Sequence, residues 1–450
     1  MSDPDPGDAA GADGLRRQLG LLDATTINIG TMLGTAILLV PGQVAAACAT
    51  PWQALGLWLA GGLLSMLGAL AMAELAAMMP EAGGQYAYLR RAFTPFTGWL
   101  YAWTTSVVIN PASIAAIGIG FATYAAPALG LGPMAVLPLA VASIVALTLL
   151  NCLGLREGAR VQTVLTVLKM LGLAAFGVAG LAAGGADAAA GAAAAPRASP
   201  VLALIAVLWA YDGWMEVTLV GSEVRDPARV LPRSIVLGMG AVVALYVLAN
   251  AGMLAVLPIG ALAESDRPAA AVAEALGGAA GVGLVTLLMT LSSLGSNNGI
   301  ILSAARVPYA MARQGEFFAW AGVAHPTRHV PVNVLLVQGA WSIVLAMTGT
   351  YDQLITSVVA ASWVFYGLSA VAVLRLRRTE PDAERPYRAW GYPWGPVLFA
   401  GASVAVVVAS AIDAPVATAG GIGLLALGWP ALLALRASGG RVGGQGGQRA

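Results

Sequence analysis

Residues 30–42 read GTMLGTAILLVPG and lie inside a long apolar segment, 19–48. The segment is long enough to cross a bilayer, since about 20 residues span the hydrocarbon core. Its centre nevertheless holds glycines, threonines and a Pro-Gly pair, which favour an interrupted helix. Lipid cannot satisfy the backbone groups that such a break frees, so the break must face protein or a water-filled cavity. The pattern therefore predicts a broken membrane helix that lines a polar site.

The two halves of this helix offer opposite charges to a ligand. A half-helix that begins near Thr35 points its N–H groups and positive dipole end at an anionic group. A half-helix that ends near Met32 offers carbonyl oxygens to a cation. A molecule with a carboxylate and an ammonium group on one carbon fits both. The alternative interpretation is that the small residues only allow close helix packing.

The composition indicates a polytopic membrane protein with an all-α fold. Hydrophobic residues make up 58% of the 450 residues and charged residues only 10%, and the mean hydropathy is +0.79. Such values lie outside the range of soluble domains. Twelve segments are long enough to span a membrane. They are 19–48, 53–79, 96–126, 134–152, 161–181, 201–221, 235–257, 280–312, 332–347, 354–374, 394–412 and 416–435.

Charge placement gives the orientation. Of the 23 lysines and arginines, Arg197 and Arg267 fall on one side of the spans, Lys169 lies inside a span, and the others lie on the opposite side or at the adjoining helix ends. By the positive-inside rule both termini are cytoplasmic. Residues 1–14 and 438–450 are expected to be flexible cytoplasmic tails around a membrane domain over 15–437. The near-neutral net charge of +1 gives no reason to expect a nucleic-acid partner.

A second interruption is predicted in the sixth span, where residues 209–214 read WAYDGW. This motif places a carboxylate and a glycine in mid-membrane. A second broken helix, five spans after the first, is typical of an inverted repeat with the binding site between its halves. The repeats cover about 19–181 and 201–374, and helices 11 and 12 follow over about 394–435.

Three ionisable residues fall within the predicted spans. Lys169 is the only lysine in the chain, and a charge at mid-bilayer costs about 2.5–3.5 kcal/mol, so such a residue is normally turned inward and functional rather than snorkelling to the surface. Asp212 and Glu216 are four residues apart and share a face if the helix continues between them. Their roles stay open: Asp212 helps to hold a substrate amino group, one or both carboxyl groups are protonated and silent, or Glu216 carries a coupled proton.

Several motifs resemble the amino acid–polyamine–organocation (APC) transporter superfamily. PEAGGQYAYL at 80–89 resembles the superfamily, whereas NPASIA at 110–115, AYDGW at 210–214 and SSLGSNNG at 292–299 are similar to its L-type amino acid transporter branch. The resemblance covers about 19–412. It implies a five-plus-five inverted-repeat fold of twelve helices, with helices 1 and 6 broken and two extra helices at the C-terminal end.

The resemblance also implies roles for individual residues. Thr35, Ala36 and Ile37 would present N–H groups to the substrate carboxylate. Met32, Trp209 and Asp212 would offer carbonyls to its amino group, with the Trp209 ring also covering the substrate.

Lys169 stands where sodium-coupled relatives bind a metal ion. There it would tie the fifth helix to the broken first helix and to the eighth. No sodium, other metal or cofactor is therefore expected in the transport reaction.

Three departures from the family pattern matter. The usual Gly-Ser-Gly is Gly34-Thr35-Ala36, which adds two methyl groups beside the carboxylate, and an Asn frequent in animal members is Met215. The loop at 127–133 has no cysteine, whereas animal members use one to bond a heavy-chain glycoprotein. A stand-alone bacterial-type protein is therefore predicted, with no disulfide-linked heavy chain.

The resemblance implies a sodium-independent exchanger of neutral L-amino acids that works by alternating access in the cytoplasmic membrane. An alternative on the same fold is a proton-coupled symporter in which Asp212 and Glu216 select cationic amino acids or polyamines. An enzyme is not expected, because no cluster of nucleophile, base or metal ligands occurs on one side of the membrane.

Overall fold

The computed structural model describes residues 15–185, 196–265, 267–348, 351–413 and 428–437, together with 415, 423, 425 and 426. Regular structure within these residues is helical, apart from one parallel bridge between Leu19 and Val224. The two predicted tails and part of the predicted twelfth span lie outside the described residues.

The helices follow one another along the chain with short connections. They are α1 (Leu21–Met32), α2 (Ala36–Ala47), α3 (Pro51–Met78), α4 (Gln85–Ala92), α5 (Pro95–Thr104), α6 (Asn110–Ala128), α7 (Val136–Leu153), α8 (Leu155–Ala183), α9 (Pro200–Ala210), α10 (Glu216–Leu219), α11 (Pro227–Val256), α12 (Ile259–Glu264), α13 (Pro268–Ala304), α14 (Arg306–Arg313), α15 (Val332–Thr348), α16 (Tyr351–Thr379), α17 (Trp394–Asp413) and α18 (Gly428–Ala437).

The chain is a multi-pass membrane protein. Among the described residues, seven helical stretches are long and apolar enough to cross a bilayer, and α1 with α2 form an eighth that is bent by 46°. The prediction of an all-α polytopic fold is therefore confirmed. The count of twelve spans and the inverted repeat stay predictions, since α9 and α15 are shorter apolar helices.

The first break lies where the sequence predicts it. Helix α1 ends at Met32 and α2 begins at Ala36, with Thr35 as the residue that precedes its first turn. Helix α1 contacts α8, α11 and α13, so the broken span lies among other helices rather than against lipid. This surrounding protein supplies the partners that the interrupted backbone needs.

The second break separates α9 from α10. Residues 211–215 form a turn in which Gly213 has a φ of +107°, a conformation that favours glycine. A Cβ atom on Gly213 would lie only 3.0 Å from the carbonyl carbon of Thr31, so the two breaks approach each other closely. The helix does not continue from Asp212 to Glu216, and the shared face that depends on a continuous helix does not form.

The third span contains a π-helical turn at Thr105–Ile109, which joins α5 to α6. The N–H group of Asn110 bonds back to the carbonyl of Thr105, five residues earlier, and Pro111 follows without an N–H group of its own. A π turn inserts one residue into the helix and is frequent at functional sites. It sets which side chains of α6 face the centre of the protein.

Some helices begin earlier than hydropathy predicts. Helix α11 begins at Pro227 rather than near 235, because its first turns carry arginines that an apolar window excludes. Helix α8 likewise begins at Leu155, so Lys169 lies about four turns from its start. Helix α13 begins at Pro268, but non-helical backbone at Gly277 and Gly278 separates its first part from the predicted eighth span.

A buried ion pair closes the packing where α14 meets the end of the sixth span. Glu223 accepts hydrogen bonds from Arg306 Nε (2.7 Å) and Nη2 (3.1 Å), and both side chains are buried. Beside it the N–H group of Arg225 bonds to the carbonyl of Leu19 (2.9 Å). Removing one partner of such a pair costs about 3–5 kcal/mol, because it leaves an uncompensated buried charge.

The predicted topology can be tested with single introduced cysteines. We expect Arg197→Cys to react with a membrane-impermeant maleimide on intact cells and Asp382→Cys to react only after permeabilisation, because five predicted spans separate them. Both positions are exposed, whereas the native Cys48 and Cys152 are buried and serve as the background control. Labelling of both introduced cysteines from the same side would contradict the span count.

Candidate functional site

A cavity of about 130 Å³ lies between the two helix breaks. Its walls come from both breaks and from α6, α13 and α16. The predicted site residues that line it are Met32, Gly34, Thr35, Ala36, Trp209, Asp212 and Glu216. Ile37 and Lys169 line a separate, smaller void. The sequence therefore identified most of the two broken walls but not the walls formed by α6 and α16.

The start of α2 offers N–H groups at the edge of the cavity. The N–H group of Leu38 bonds back to the carbonyl of Thr35 (3.0 Å), so the N–H groups of Thr35, Ala36 and Ile37 precede the hydrogen bonds of the helix itself. Groups in this position bind anions and carboxylates. The role predicted for Ile37 needs only its N–H group, which agrees with a side chain that points away from the cavity.

The carbonyl groups at the opposite edge are already engaged. The Met32 carbonyl accepts hydrogen bonds from the N–H group of Gly34 (2.7 Å) and from the hydroxyl of Tyr246 (2.8 Å). The Trp209 carbonyl accepts from the N–H group of Asp212 (3.0 Å). A substrate ammonium group at this edge must share these carbonyls with their present donors or displace those donors.

Tyr246 joins the two breaks. Its hydroxyl lies 2.8 Å from the carbonyl oxygen of Met32 and 3.0 Å from that of Ala210, which are the last residues of α1 and α9. Thr31 adds a second link, since its hydroxyl donates to the Gly213 carbonyl (3.1 Å). Sequence analysis missed Tyr246, and the one available signal was a polar aromatic residue inside an apolar span.

Two carboxylates line the cavity, and each has a hydroxyl donor. Asp212 Oδ1 accepts from the Tyr366 hydroxyl (2.8 Å) and from the Gly213 N–H group (2.8 Å). The Glu216 carboxylate accepts from Ser303 Oγ at 2.5 Å. Among the described residues that line the cavity there is no lysine or arginine. The cavity is therefore acidic, with both acids held by the protein.

Lys169 connects three helices behind the cavity. Its Nζ donates to the carbonyls of Gly30 (2.7 Å) and Leu33 (2.8 Å) and to Ser296 Oγ (3.2 Å). The side chain is 1% exposed. A Cβ atom on Gly295 would lie 2.7 Å from Lys169 Cε, so only glycine leaves room for the lysine there. The fifth helix is tied to the first and the eighth, as the resemblance implies, while its part in transport stays a prediction.

An amide network that sequence analysis did not foresee supports α1 from the same side. Asn298 Nδ2 donates to Gln162 Oε1 (3.0 Å), and Thr166 Oγ1 donates to the Thr26 carbonyl (3.0 Å). A Cβ atom on Gly30 would lie 2.1 Å from Gln162 Nε2. The first broken helix therefore depends on a glycine for its contact with α8.

This arrangement defines a class of protein. A polytopic helical chain with a polar cavity between two broken membrane helices has the architecture of a secondary transporter. The family model for amino acid permeases matches residues 19–426, so the chain belongs to the amino acid permease family, within the APC superfamily.

Individual relatives agree with this assignment. The chain is 32% identical over 384 residues to the b(0,+)-type amino acid transporter 1 of Mus musculus, covering 83% of this chain and 79% of that protein. It is 29% identical over 390 residues to the serine/threonine exchanger SteT of Bacillus subtilis (86% and 89%). It is 28% identical over 427 residues to the cystine/glutamate transporter of Homo sapiens (93% and 85%). The predicted membership of the L-type branch is confirmed, and these relatives are transporters rather than enzymes.

Replacing Lys169 tests whether its contacts serve the transport cycle. We expect Lys169→Ala to stay folded but to transport at least about tenfold more slowly, because the Gly30 and Leu33 carbonyls lose a charged donor worth about 1.5–3 kcal/mol. Transport in proteoliposomes and the melting temperature of the purified protein are the measurements. Arg197→Ala is the control, since the Arg197–Glu264 ion pair is exposed and contributes little. A Lys169→Ala protein as active as the parent would show that the assigned role is wrong.

Replacing Tyr246 tests the link between the breaks. Tyr246→Phe removes a hydroxyl shared by the Met32 and Ala210 carbonyls, so we expect a loss of about 0.6–2 kcal/mol in stability and slower transport. Thermal unfolding of the purified protein measures the first effect. The matched control is Tyr124→Phe, a partly buried tyrosine on α6 away from both breaks. Equal melting temperatures for the two variants would contradict the role given to Tyr246.

Proposed function

We propose that this protein is a sodium-independent exchanger of neutral L-amino acids that works by alternating access in the cytoplasmic membrane. The observation that carries the proposal is the cavity between the two breaks, which presents unpaired N–H groups of α2 at one edge and helix-terminal carbonyls at the other. This pairing suits the carboxylate and ammonium groups that every amino acid carries. The names of the relatives support exchange as the mode of transport.

The backbone of Gly34, Thr35, Ala36 and Ile37 is assigned to the substrate carboxylate. The ammonium group is assigned to the edge formed by Met32, Trp209 and Asp212. Because the Met32 and Trp209 carbonyls already accept hydrogen bonds, binding of the ammonium group rearranges this edge. Trp209 lines the cavity and is assigned to cover the bound substrate.

The side-chain end of the cavity favours neutral substrates. A substrate with an extra carboxylate meets Asp212 and Glu216 and no lysine or arginine among the described lining residues. A substrate with an extra cation meets carboxylates that already accept from Tyr366 and Ser303. The serine/threonine exchanger among the relatives carries a name that fits this selectivity.

Sodium independence is assigned to Lys169. Carbonyl and hydroxyl oxygens are the ligands that hard cations take in proteins. Here two carbonyls and one hydroxyl surround the Lys169 ammonium group, which supplies a fixed positive charge between the first and eighth helices. A sodium ion has no place in this arrangement. We further propose that the protein works without a disulfide-linked heavy chain.

One alternative has a specific observation in its favour. Both Asp212 and Glu216 line the cavity, and an acidic cavity also suits a cationic amino acid or a polyamine, with Glu216 as the carrier of a coupled proton. The two functions differ in what drives uptake and in which solutes compete.

Uptake into sodium-free proteoliposomes separates exchange from symport. We expect labelled L-amino acid to enter vesicles preloaded with unlabelled amino acid and not empty ones, at both acidic and neutral outer pH, because exchange needs a substrate to return the carrier. Lys169→Ala vesicles are the negative control. Uptake into empty vesicles that grows at acidic outer pH would favour the proton-coupled alternative.

Competition separates the substrate classes. We expect alanine, leucine and serine to inhibit uptake more strongly than arginine and ornithine, and putrescine not to inhibit, since putrescine has no carboxylate for the N–H groups of α2. Concentrations for half-inhibition of exchange are the measurement. Strong inhibition by putrescine would contradict the proposed function.

A further inference from the structure

Asn110 lies on the α6 wall of the cavity and has no assigned part in the site described so far. Its side chain lines the cavity and is only 4% exposed. Within the part of the chain that the structure describes, its Nδ2 has no hydrogen-bond partner. A buried amide donor without an acceptor is costly, and such groups in native proteins call for a partner from outside the protein, a ligand or a water.

The backbone around Asn110 is built to hold this side chain at the cavity. The π-helical turn Thr105–Ile109 ends directly before it, and Asn110 bonds to the Thr105 carbonyl through its own N–H group. Ile109, Asn110 and Ser113 then face the cavity together. Extra residues of this kind reorient side chains at functional sites.

The neighbouring polar side chains have protein acceptors. Ser113 Oγ donates to the Ile109 carbonyl (2.8 Å), and Asn297 Nδ2, on the helix that packs against α6, donates to the Ile114 carbonyl (3.2 Å). Asp212 and Glu216 accept from Tyr366 and Ser303. The Asn110 carboxamide is therefore a polar group on this wall that is left for a ligand.

We propose that Asn110 is a specificity-determining residue that binds the side-chain hydroxyl or carboxamide of the substrate. A carboxamide both donates and accepts hydrogen bonds, as do the side chains of serine, threonine, asparagine and glutamine. The substrate class is thus narrowed from neutral amino acids to polar neutral amino acids. This inference rests on the proposed function, because it concerns the side-chain end of the same amino acid site.

The comparison of threonine with valine isolates this contact. The two amino acids are nearly equal in shape, and a hydroxyl in one replaces a methyl group in the other. Bound valine leaves the Asn110 donor unpaired and threonine does not, and a site that hydrogen-bonds a substrate hydroxyl rejects the analogue that lacks it. We expect the parent protein to prefer threonine over valine by about tenfold.

The experiment measures the concentrations of unlabelled L-threonine and L-valine that halve the exchange of labelled L-alanine. In Asn110→Leu and Asn110→Ala we expect the preference for threonine to fall to near one, with inhibition by valine kept or strengthened. Because the readout is a ratio within one protein, a change in expression or folding does not imitate the result. If a variant does not transport, the shift of its melting temperature by each amino acid gives the same ratio.

The matched control is Asn297→Leu, which makes the same substitution at an asparagine that does not line the cavity and has a carbonyl partner. We expect this variant to keep the threonine preference of the parent. The proposal is overturned if the parent has no preference for threonine, if the Asn110 variants keep it, or if Asn297→Leu loses it equally. Failure of the parent to exchange any amino acid would instead contradict the proposed function.

Discussion

A membrane helix can be interrupted only where other protein atoms replace the hydrogen bonds it gives up, and the structure is organised around this requirement. The carbonyls freed near the end of α1 are taken up by side chains from distant parts of the chain. Lys169 and Ser292 bond to Leu33 O, and Tyr246 bonds to Met32 O. The helices that carry these donors must pack against the break, so the requirement at one turn of backbone fixes the positions of α8, α11 and α13.

The same requirement explains what the sequence foretold about the fold. Both breaks were predictable, because glycines, threonines and Pro41 or the Asp212-Gly213 pair are conspicuous inside apolar segments. The starts of α8 and α11 were misplaced, since these helices continue with arginines beyond the apolar window. Hydropathy reports where lipid is and not where a helix begins.

The candidate site was predictable in its backbone and less so in its side chains. Residues at the breaks and Lys169 were identified from composition and resemblance. The partners of those residues were not, because Tyr246 and Met32 are 214 residues apart and Tyr366 and Asp212 are 154 apart, with no periodic pattern to join them. The π turn before Asn110 was equally invisible, since no residue type specifies one.

The buried pair of Glu223 and Arg306 sets the order of events when that region opens. Two charges enclosed in low dielectric attract each other strongly, and separating them dry is far costlier than separating them in water. Water must therefore reach the pair before the end of the sixth span moves away from α14. Enclosed charges are also shielded little by dissolved ions. The closure is consequently governed by hydration, and the ionic strength of the surrounding solution has little leverage on it.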